Sequence, residues 1–363
     1  MGGRPSEKTG RKRFRSFPWS KLIFWLLWFL PATALSILVW ARVGDLVLAA
    51  LVVGLIMVRR FLIFRARVLA GSTPAAQVST GEPSAWRSWG AWNWAATIVV
   101  DDDQVYSGDW HGLTVRERSG GNLVGHYTAA DGLPGTYIND LLLHPDDYHI
   151  WAATNNGLAQ RTEDELIVYD MSDGLDSPVV MAIESTPLGL LAGTAYSGQT
   201  GGGLNQLGAN GWQPFAAFPS GEGPGQLSWN VYVIRSWADG ELWVGTMHGL
   251  GHYDPDAGTW ETYFVEDGLP DNEVIALLVD GPGQAWVATR GGVVRFVDSA
   301  FEPVPQMQGQ GIEYADGMQR DERGWYWFAT YDGIYRFNPD NADWTMFSNE
   351  ELGVRYVTGI GQD

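Results

Sequence analysis

The chain has 363 residues, 45% of them apolar, with 46 glycines, 19 tryptophans and no cysteine, so it can bury a large core but holds no disulfide, thiolate nucleophile or cysteine-based metal centre. Its net charge of −19 is unevenly spread: residues 1–67 carry 12 Lys or Arg against Glu7 and Asp45, and the remainder carries 11 Arg, no Lys and 40 acids. That acidic remainder has no basic footprint for phosphates, which argues against a nucleic-acid partner and suits cations or basic surfaces.

Residues 1–21 form a basic tail with seven Lys or Arg. Leu22 to Trp40 is uncharged over 19 residues, long enough to cross a bilayer as a helix. After the turn at 41–45 a second apolar run, 46–58, reaches Arg59 and Arg60, with Arg65 and Arg67 beyond. It spans if those arginines snorkel to the interface. The pattern predicts a transmembrane helical hairpin over residues 22–67, anchoring the chain in a bacterial inner membrane as a multi-pass protein. Positive residues flank both of its ends, and the positive-inside rule then puts everything downstream in the cytoplasm. Residues 68–84, small, polar and proline-containing over 71–84, read as a flexible linker.

Six variants of one motif follow: VYSGDWHGL (105–113), IWAATNNGL (150–158), LLAGT interrupted before GGL (190–204), LWVGTMHGL (242–250), AWVATRGGV (285–293) and YWFATYDGI (326–334). Their glycines, Gly112, Gly157, Gly203, Gly249, Gly292 and Gly333, recur every 41 to 46 residues. Short apolar runs between Gly, Asp and Pro turns at that period require four strands per unit and predict an all-β fold, a β-propeller over residues 85–363. Strand alternation puts Trp243 and Gly245 on one face and Val244 and Thr246 on the other, both apolar or small, as a blade packed between two neighbours needs. Trp151, Trp286 and Trp327 repeat the arrangement beside Ala153, Ala288 and Ala329. Most tryptophans therefore belong to the blade core, with Trp110 in a turn as the exposed exception.

At the two ends, AWRSWG (85–90) has the character of an outer strand and VRYVTGIGQD (354–363) that of an inner one. The repeat therefore predicts a seven-bladed ring whose incomplete last blade lacks its second and third strands, about 20 residues. Six blades with a surplus tail is the alternative.

The motifs DGLP (267–270), AWVATRGGVVRF (285–296) and LWVGTMHGLGHYD (242–254) resemble the two-component regulator propeller repeat family, over roughly residues 85–363. The resemblance implies a sensory propeller, of the kind usually attached to a membrane histidine kinase and facing outward, although no kinase signature is present. On charge the propeller is expected inside the cell, on resemblance outside it.

In a propeller the outer-to-inner connections and the turns between second and third strands gather on one face. The second set presents Trp110, His111, Asn155, Asn156, Tyr196, Met247, His248, Arg290, Tyr331 and Asp332 around one rim, different in each blade on a repeating framework, as suits binding of a small molecule, glycan or partner protein. His111 and His248, three blades apart, resemble the axial histidines of propeller lyases similar to the streptogramin-inactivating enzymes, which gives a metal-dependent lyase or hydrolase as the rival to a non-catalytic sensor or scaffold. Asp101-Asp102-Asp103 and Asp146-Asp147 offer oxygen ligands for Ca or Mg, but the calcium-loop spacing is missing and they read as turn formers. No cofactor is expected.

Overall fold

The structure, a computed structural model, describes residues 96–361 apart from 163–164, 199, 222, 305–314 and 355–356. The basic tail, the hairpin at 22–67, the linker and the strand expected at 85–90 lie outside the described residues. Among the described residues, no helix is long and apolar enough to cross a membrane.

Six four-stranded antiparallel sheets follow one another along the chain. Sheet 1 holds β1 (Thr97–Val100), β2 (Gln104–Asp109), β3 (Gly112–Glu117) and β4 (Leu123–Tyr127), and sheet 2 holds β5 (Ile138–Leu143), β6 (Ile150–Thr154), β7 (Gly157–Arg161) and β8 (Leu166–Tyr169). Sheet 3 is β9 (Val180–Thr186), β10 (Gly189–Thr194), β11 (Gly203–Gly208) and β12 (Gly211–Pro214). Sheet 4 is β13 (Val231–Ser236), β14 (Leu242–Thr246), β15 (Leu250–Asp254) and β16 (Thr259–Tyr263). Sheet 5 is β17 (Val274–Gly281), β18 (Gln284–Thr289), β19 (Gly292–Val297) and β20 (Ala300–Pro303); sheet 6 is β21 (Ala315–Arg320), β22 (Tyr326–Thr330), β23 (Gly333–Asn338) and β24 (Asp343–Ser348). Their first strands pack in the order β1, β5, β9, β13, β17, β21, the inner wall of a β-propeller with six blades, so the alternative count holds in place of the seven-bladed ring expected from the repeat: among the described residues each sheet is complete with four strands and residues 357–361 belong to none.

Alternation along the second strands builds the packing between sheets. Trp243 is fully buried and packs on Val274, Leu277 and Val287 of sheet 5, while Leu242 and Val244 on its other face meet Leu191 and Leu204 of sheet 3. A Cβ on Gly245 would stand 2.6 Å from the Val274 side chain, so the small residue beside the indole is what lets the sheets approach. Trp286 faces Tyr326 and Phe328 of sheet 6, and Trp151 faces Val180, Ile183 and Trp212 of sheet 3. In sheet 1 Tyr106 takes the tryptophan's place against Ile138 and Leu141. Trp327 departs from the expected core position: it is only partly buried, because its face of sheet 6 is the one that looks away from sheet 5.

Two recurring turns set the loop geometry. At the end of five second strands a threonine hydroxyl donates to the carbonyl of the motif glycine: Thr154 to Gly157 (2.8 Å), Thr194 to Gly203 (3.1 Å), Thr246 to Gly249 (2.8 Å), Thr289 to Gly292 (2.9 Å) and Thr330 to Gly333 (2.9 Å). Gly249 has φ +102°, a left-handed conformation that side chains resist. The Asp-Gly-Leu connections are short 3-10 turns. Thr128 with Asp131 and Asp170 with Asp173 form reciprocal capping boxes, Gly132 and Gly174 follow in the left-handed region, and Leu133, Leu175 and Leu269 anchor the connections in the core.

The chain beyond sheet 6 repeats that connection. Ser348 and Glu351 form the same reciprocal box around α1 (Asn349–Leu352), and Gly353 is left-handed. Beyond it, residues 357–361 make no ladder with a neighbouring strand.

Candidate functional site

Turns between second and third strands and the connections into the next sheet are hydrogen-bonded to one another on a single face. Asn155 receives the Tyr137 N–H on its side-chain oxygen (3.3 Å) and donates its own N–H to the Tyr137 carbonyl (3.1 Å), and the Asn156 amide donates to the Pro134 carbonyl (2.9 Å). Met247 N–H donates to the Asn230 carbonyl (2.9 Å), Arg290 N–H to that of Glu273 (3.1 Å), and the Asn349 side chain to that of Tyr331 (2.7 Å). Two layers of loops thereby brace each other, so side chains leave from fixed backbone positions.

The rim residues separate into groups on this framework. Trp110, 41% exposed, stacks on Tyr137 of the next connection with centroids 6.1 Å apart and planes at 21°. Asn155 and Asn156 stand beside that pair but spend their polar groups on the loops. Tyr196, 51% exposed, lies 6.5 Å from Trp229; its N–H donates to the Asn230 side chain (2.6 Å), whose amide in turn reaches the Met247 sulfur (3.3 Å). Tyr196, Trp229, Asn230 and Met247 thus form one cluster. His248 is exposed and lies 5.4 Å from the Phe264 ring, and His111 is exposed with Nδ1 3.6 Å from Asp109. Arg290 is ion-paired with Glu273, both largely buried, so it braces the rim rather than presenting a charge. Asp332 is exposed, its carbonyl accepting from Asn349 (3.3 Å). Tyr137, Trp229 and Asn230 were not singled out by the motif, which marks only the second-strand turns. Their signal is position, just upstream of inner strands.

Charged side chains on the inner strands form a second constellation that the motif does not reveal. The Asp140 carboxylate on β5 accepts from Thr97 of sheet 1 (3.3 Å), from its neighbour Leu141 (2.9 Å) and from the Ile183 N–H of sheet 3 (3.1 Å). Glu184 on β9 meets the Arg235 guanidinium of β13 at 3.4 Å. Four consecutive blades, sheets 1 to 4, are joined in this way. Desolvation pushes both carboxyls up, partly offset by Arg235, and Glu184 reaches about 7, raised further by the charge of Asp140.

No family model and no curated protein matches the chain. Among solved structures, the extracellular domain of BT3049, described as a hybrid two component system from B. thetaiotaomicron, aligns with a TM-score of 0.57 at 16% identity, over 73% of this chain and 35% of that one. The extracellular domain of BT4673, with the same description and organism, aligns with a TM-score of 0.54 at 18% identity, over 74% and 35%. The fold is shared. This chain spans about a third of the length of either structure.

The remaining polar clusters have structural partners. Asp101 accepts from the N–H groups of Asp103 (2.9 Å) and Gln104 (2.6 Å) and from the Tyr106 hydroxyl (2.9 Å), which makes it a turn cap. Asp147 accepts from the His149 N–H (3.0 Å) and lies 3.1 to 3.2 Å from the ring nitrogens of His149 and His144. Among the described residues, no group of three or more His, Asp or Glu is arranged to hold a metal ion. Glu241 joins Trp243 Nε1 (2.7 Å), His252 Nε2 (2.8 Å) and the Gly283 N–H, while His252 stacks on Trp243 at 4.1 Å. Burial raises this carboxyl, but those hydrogen bonds outweigh it and hold the group below its usual range. His252 is thus a packing residue between sheets 4 and 5.

Proposed function

We propose that the chain is a membrane-anchored, non-catalytic sensor or scaffold whose braced loop face binds a small molecule, a glycan or a partner protein. The observation that carries the reading is the pair of exposed aromatic sites on that face, Trp110 on Tyr137 and Tyr196 beside Trp229, each built from two successive blades. Flat apolar surfaces with polar edges, held by loops that already satisfy their own backbone groups, bind a ligand at low ordering cost. Residues 22–67 serve as the anchor. The propeller stands outside the membrane, supported by the two similar domains, which are extracellular parts of their proteins. The rival reading, a metal-dependent lyase or hydrolase, would rest on His111 and His248, of which His111 lies beside Asp109 and His248 beside Phe264.

Titrating oligosaccharides and short peptides against the full chain in lipid nanodiscs, with the thermal midpoint as the readout, tests the reading. A ligand that raises the midpoint of the native chain should lose that effect in Trp110→Ala or Tyr196→Ala. A midpoint shift that survives both substitutions would place the site elsewhere.

A further inference from the structure

In sheets 2, 4, 5 and 6 only two residues lie between the second-strand threonine and the motif glycine that accepts its hydroxyl, as in Thr154-Asn155-Asn156-Gly157. Sheet 3 departs from this pattern: residues 195–202 stand between Thr194 and Gly203, although the same hydrogen bond closes the turn at 3.1 Å. A second departure lies in the connection that enters sheet 3. The Asp-Gly-Leu connections at 131–133 and 267–269 continue into Pro134 and Pro270, whereas the one at 173–175 continues into Asp176. The two departures meet in space. A Cβ on Gly157 would stand 3.2 Å from the Pro134 ring, and one on Gly203 would stand 3.5 Å from Asp176 Oδ2, so in sheet 3 a carboxylate takes the place of an apolar ring beside the turn.

Asp176 is held there through its backbone. Its N–H donates to the side-chain oxygen of Asn205 (3.1 Å), a fully buried residue whose amide donates to the Thr194 hydroxyl (3.3 Å). The carboxylate is partly buried, and desolvation raises it with no hydrogen bond or opposite charge among the described residues to offset the effect. A carboxylate drawn out of water without a partner is destabilising, and a repeat that elsewhere places proline at this position does not need it for folding. The inserted turn is tied down on both sides. The Ser177 hydroxyl donates to the Ala195 carbonyl (2.6 Å) and the Ala195 N–H to the Val179 carbonyl (2.9 Å). On the far side a Cβ on Gly202 would stand 2.4 Å from the Trp229 carbonyl, and Tyr196 lies beside the Trp229 ring with its N–H on the Asn230 side chain.

We infer, on the strength of the loop-face binding proposed above, that the inserted turn of sheet 3 forms a site for an organic cation, an ammonium or guanidinium group, with Asp176 as the counter-charge and the Tyr196 and Trp229 rings as its aromatic walls. Such a group brings both the donors and the charge that the carboxylate lacks, and aromatic faces attract it through their quadrupole. Sugar hydroxyls could satisfy the lone pairs of Asp176 but not its charge. The surrounding field has the same sign: Asp109, Asp131, Asp173, Glu266, Asp271 and Asp332 lie in the turns and connections of this face, where the single arginine among the described residues, Arg290, is paired with Glu273.

Spermidine and a short lysine peptide, titrated by calorimetry against the full chain in phosphatidylcholine nanodiscs at physiological salt, test the site. At least one of them should bind, and Asp176→Asn and Tyr196→Ala should each weaken it about tenfold or more, the loss of a charge-assisted hydrogen bond or of a cation–π wall. Asp332→Asn removes the same charge from sheet 6 and should leave the affinity unchanged. Binding of spermidine alone would identify a small polyamine as the source of the cation, and of the peptide alone a basic protein segment. Without ligand, Asp176→Asn should keep or raise the thermal midpoint; a fall would make the carboxylate structural and overturn the inference. It is equally overturned if neither cation binds, or if Asp176→Asn and Asp332→Asn weaken binding alike, which is diffuse attraction. A neutral oligosaccharide that binds through Tyr196 where both cations fail would overturn the cation site and leave the loop-face reading standing.

Discussion

Replacing Trp243 by alanine should cost the propeller about 3–5 kcal/mol. The indole is fully buried between sheets 4 and 5, lying 4.1 Å from His252 and 5.0 Å from Phe296, and its N–H donates to Glu241 at 2.7 Å. A buried aromatic of this size removes about 150–250 Å² from water, worth roughly 4–6 kcal/mol at about 25 cal/mol per Å². Alanine keeps a small part of that and leaves a cavity that the flanking sheets cannot close without shifting. Glu241 adds little to the loss, because His252 and Gly283 still hold its carboxylate. Trp243→Phe separates these contributions: it keeps most of the packing, gives up the N–H donor and should cost about 1–2 kcal/mol. Trp327→Ala, from a partly exposed position, should cost less than Trp243→Ala. Urea unfolding of the full chain followed by far-UV circular dichroism measures all three. A loss below about 0.5 kcal/mol for Trp243→Ala would refute the wedge between sheets and return the indole to the surface.

The inner-strand carboxyl predicts a pH dependence. With Glu184 near 4.5 when unfolded and raised to about 7 in the fold, the folded chain holds a proton that the unfolded chain has released between those values, so stability falls as pH rises through that window. The contribution is at most about 3 kcal/mol, and Glu184→Gln should flatten the change in urea midpoint between pH 5 and pH 8; an unaltered slope would show that other groups carry it. The side of the membrane is open to a labelling test. Ser79→Cys in the linker should react with a membrane-impermeant maleimide in intact cells if the propeller stands outside. Protection until the cells are permeabilised would support the cytoplasmic placement that the arginine clusters favour.

The face and the core differ in how far the chain alone announced them. Trp243, Trp286 and Trp151 were legible as core because a strand's period of two couples each indole to the small residue two positions on, and both faces of the strand are apolar. Trp327 carries the same local pattern but is only partly buried, since burial also depends on which sheet comes next. The rim turns were legible as positions, while the partners of their side chains were not. Nothing near Arg290 in sequence says that Glu273 will neutralise it, or that Asn155 and Asn156 will be spent on a connection about 20 residues upstream. The capping boxes at Thr128-Asp131 and Asp170-Asp173 did leave a local signal, a polar residue three before an acid, which turns a generic loop into a defined 3-10 turn.

By itself the sequence determined the strand count per unit, the turn chemistry and the positions of the six complete blades, because these depend on interactions within a few residues and repeat at a fixed period, whereas the number of blades in the ring, read from the sequence as seven, is six in the structure. Only the tertiary structure decided that Asp140, Glu184 and Arg235 act as one group. They are 44 and 51 residues apart, and a register shift between Ile138 and Asp140 changes the direction in which the first of them points. Their shared environment comes from the radial order of the inner strands, in which residues one repeat apart become neighbours around the axis. The same order, and no local feature of residues 357–361, set those residues between sheet 6 and sheet 1.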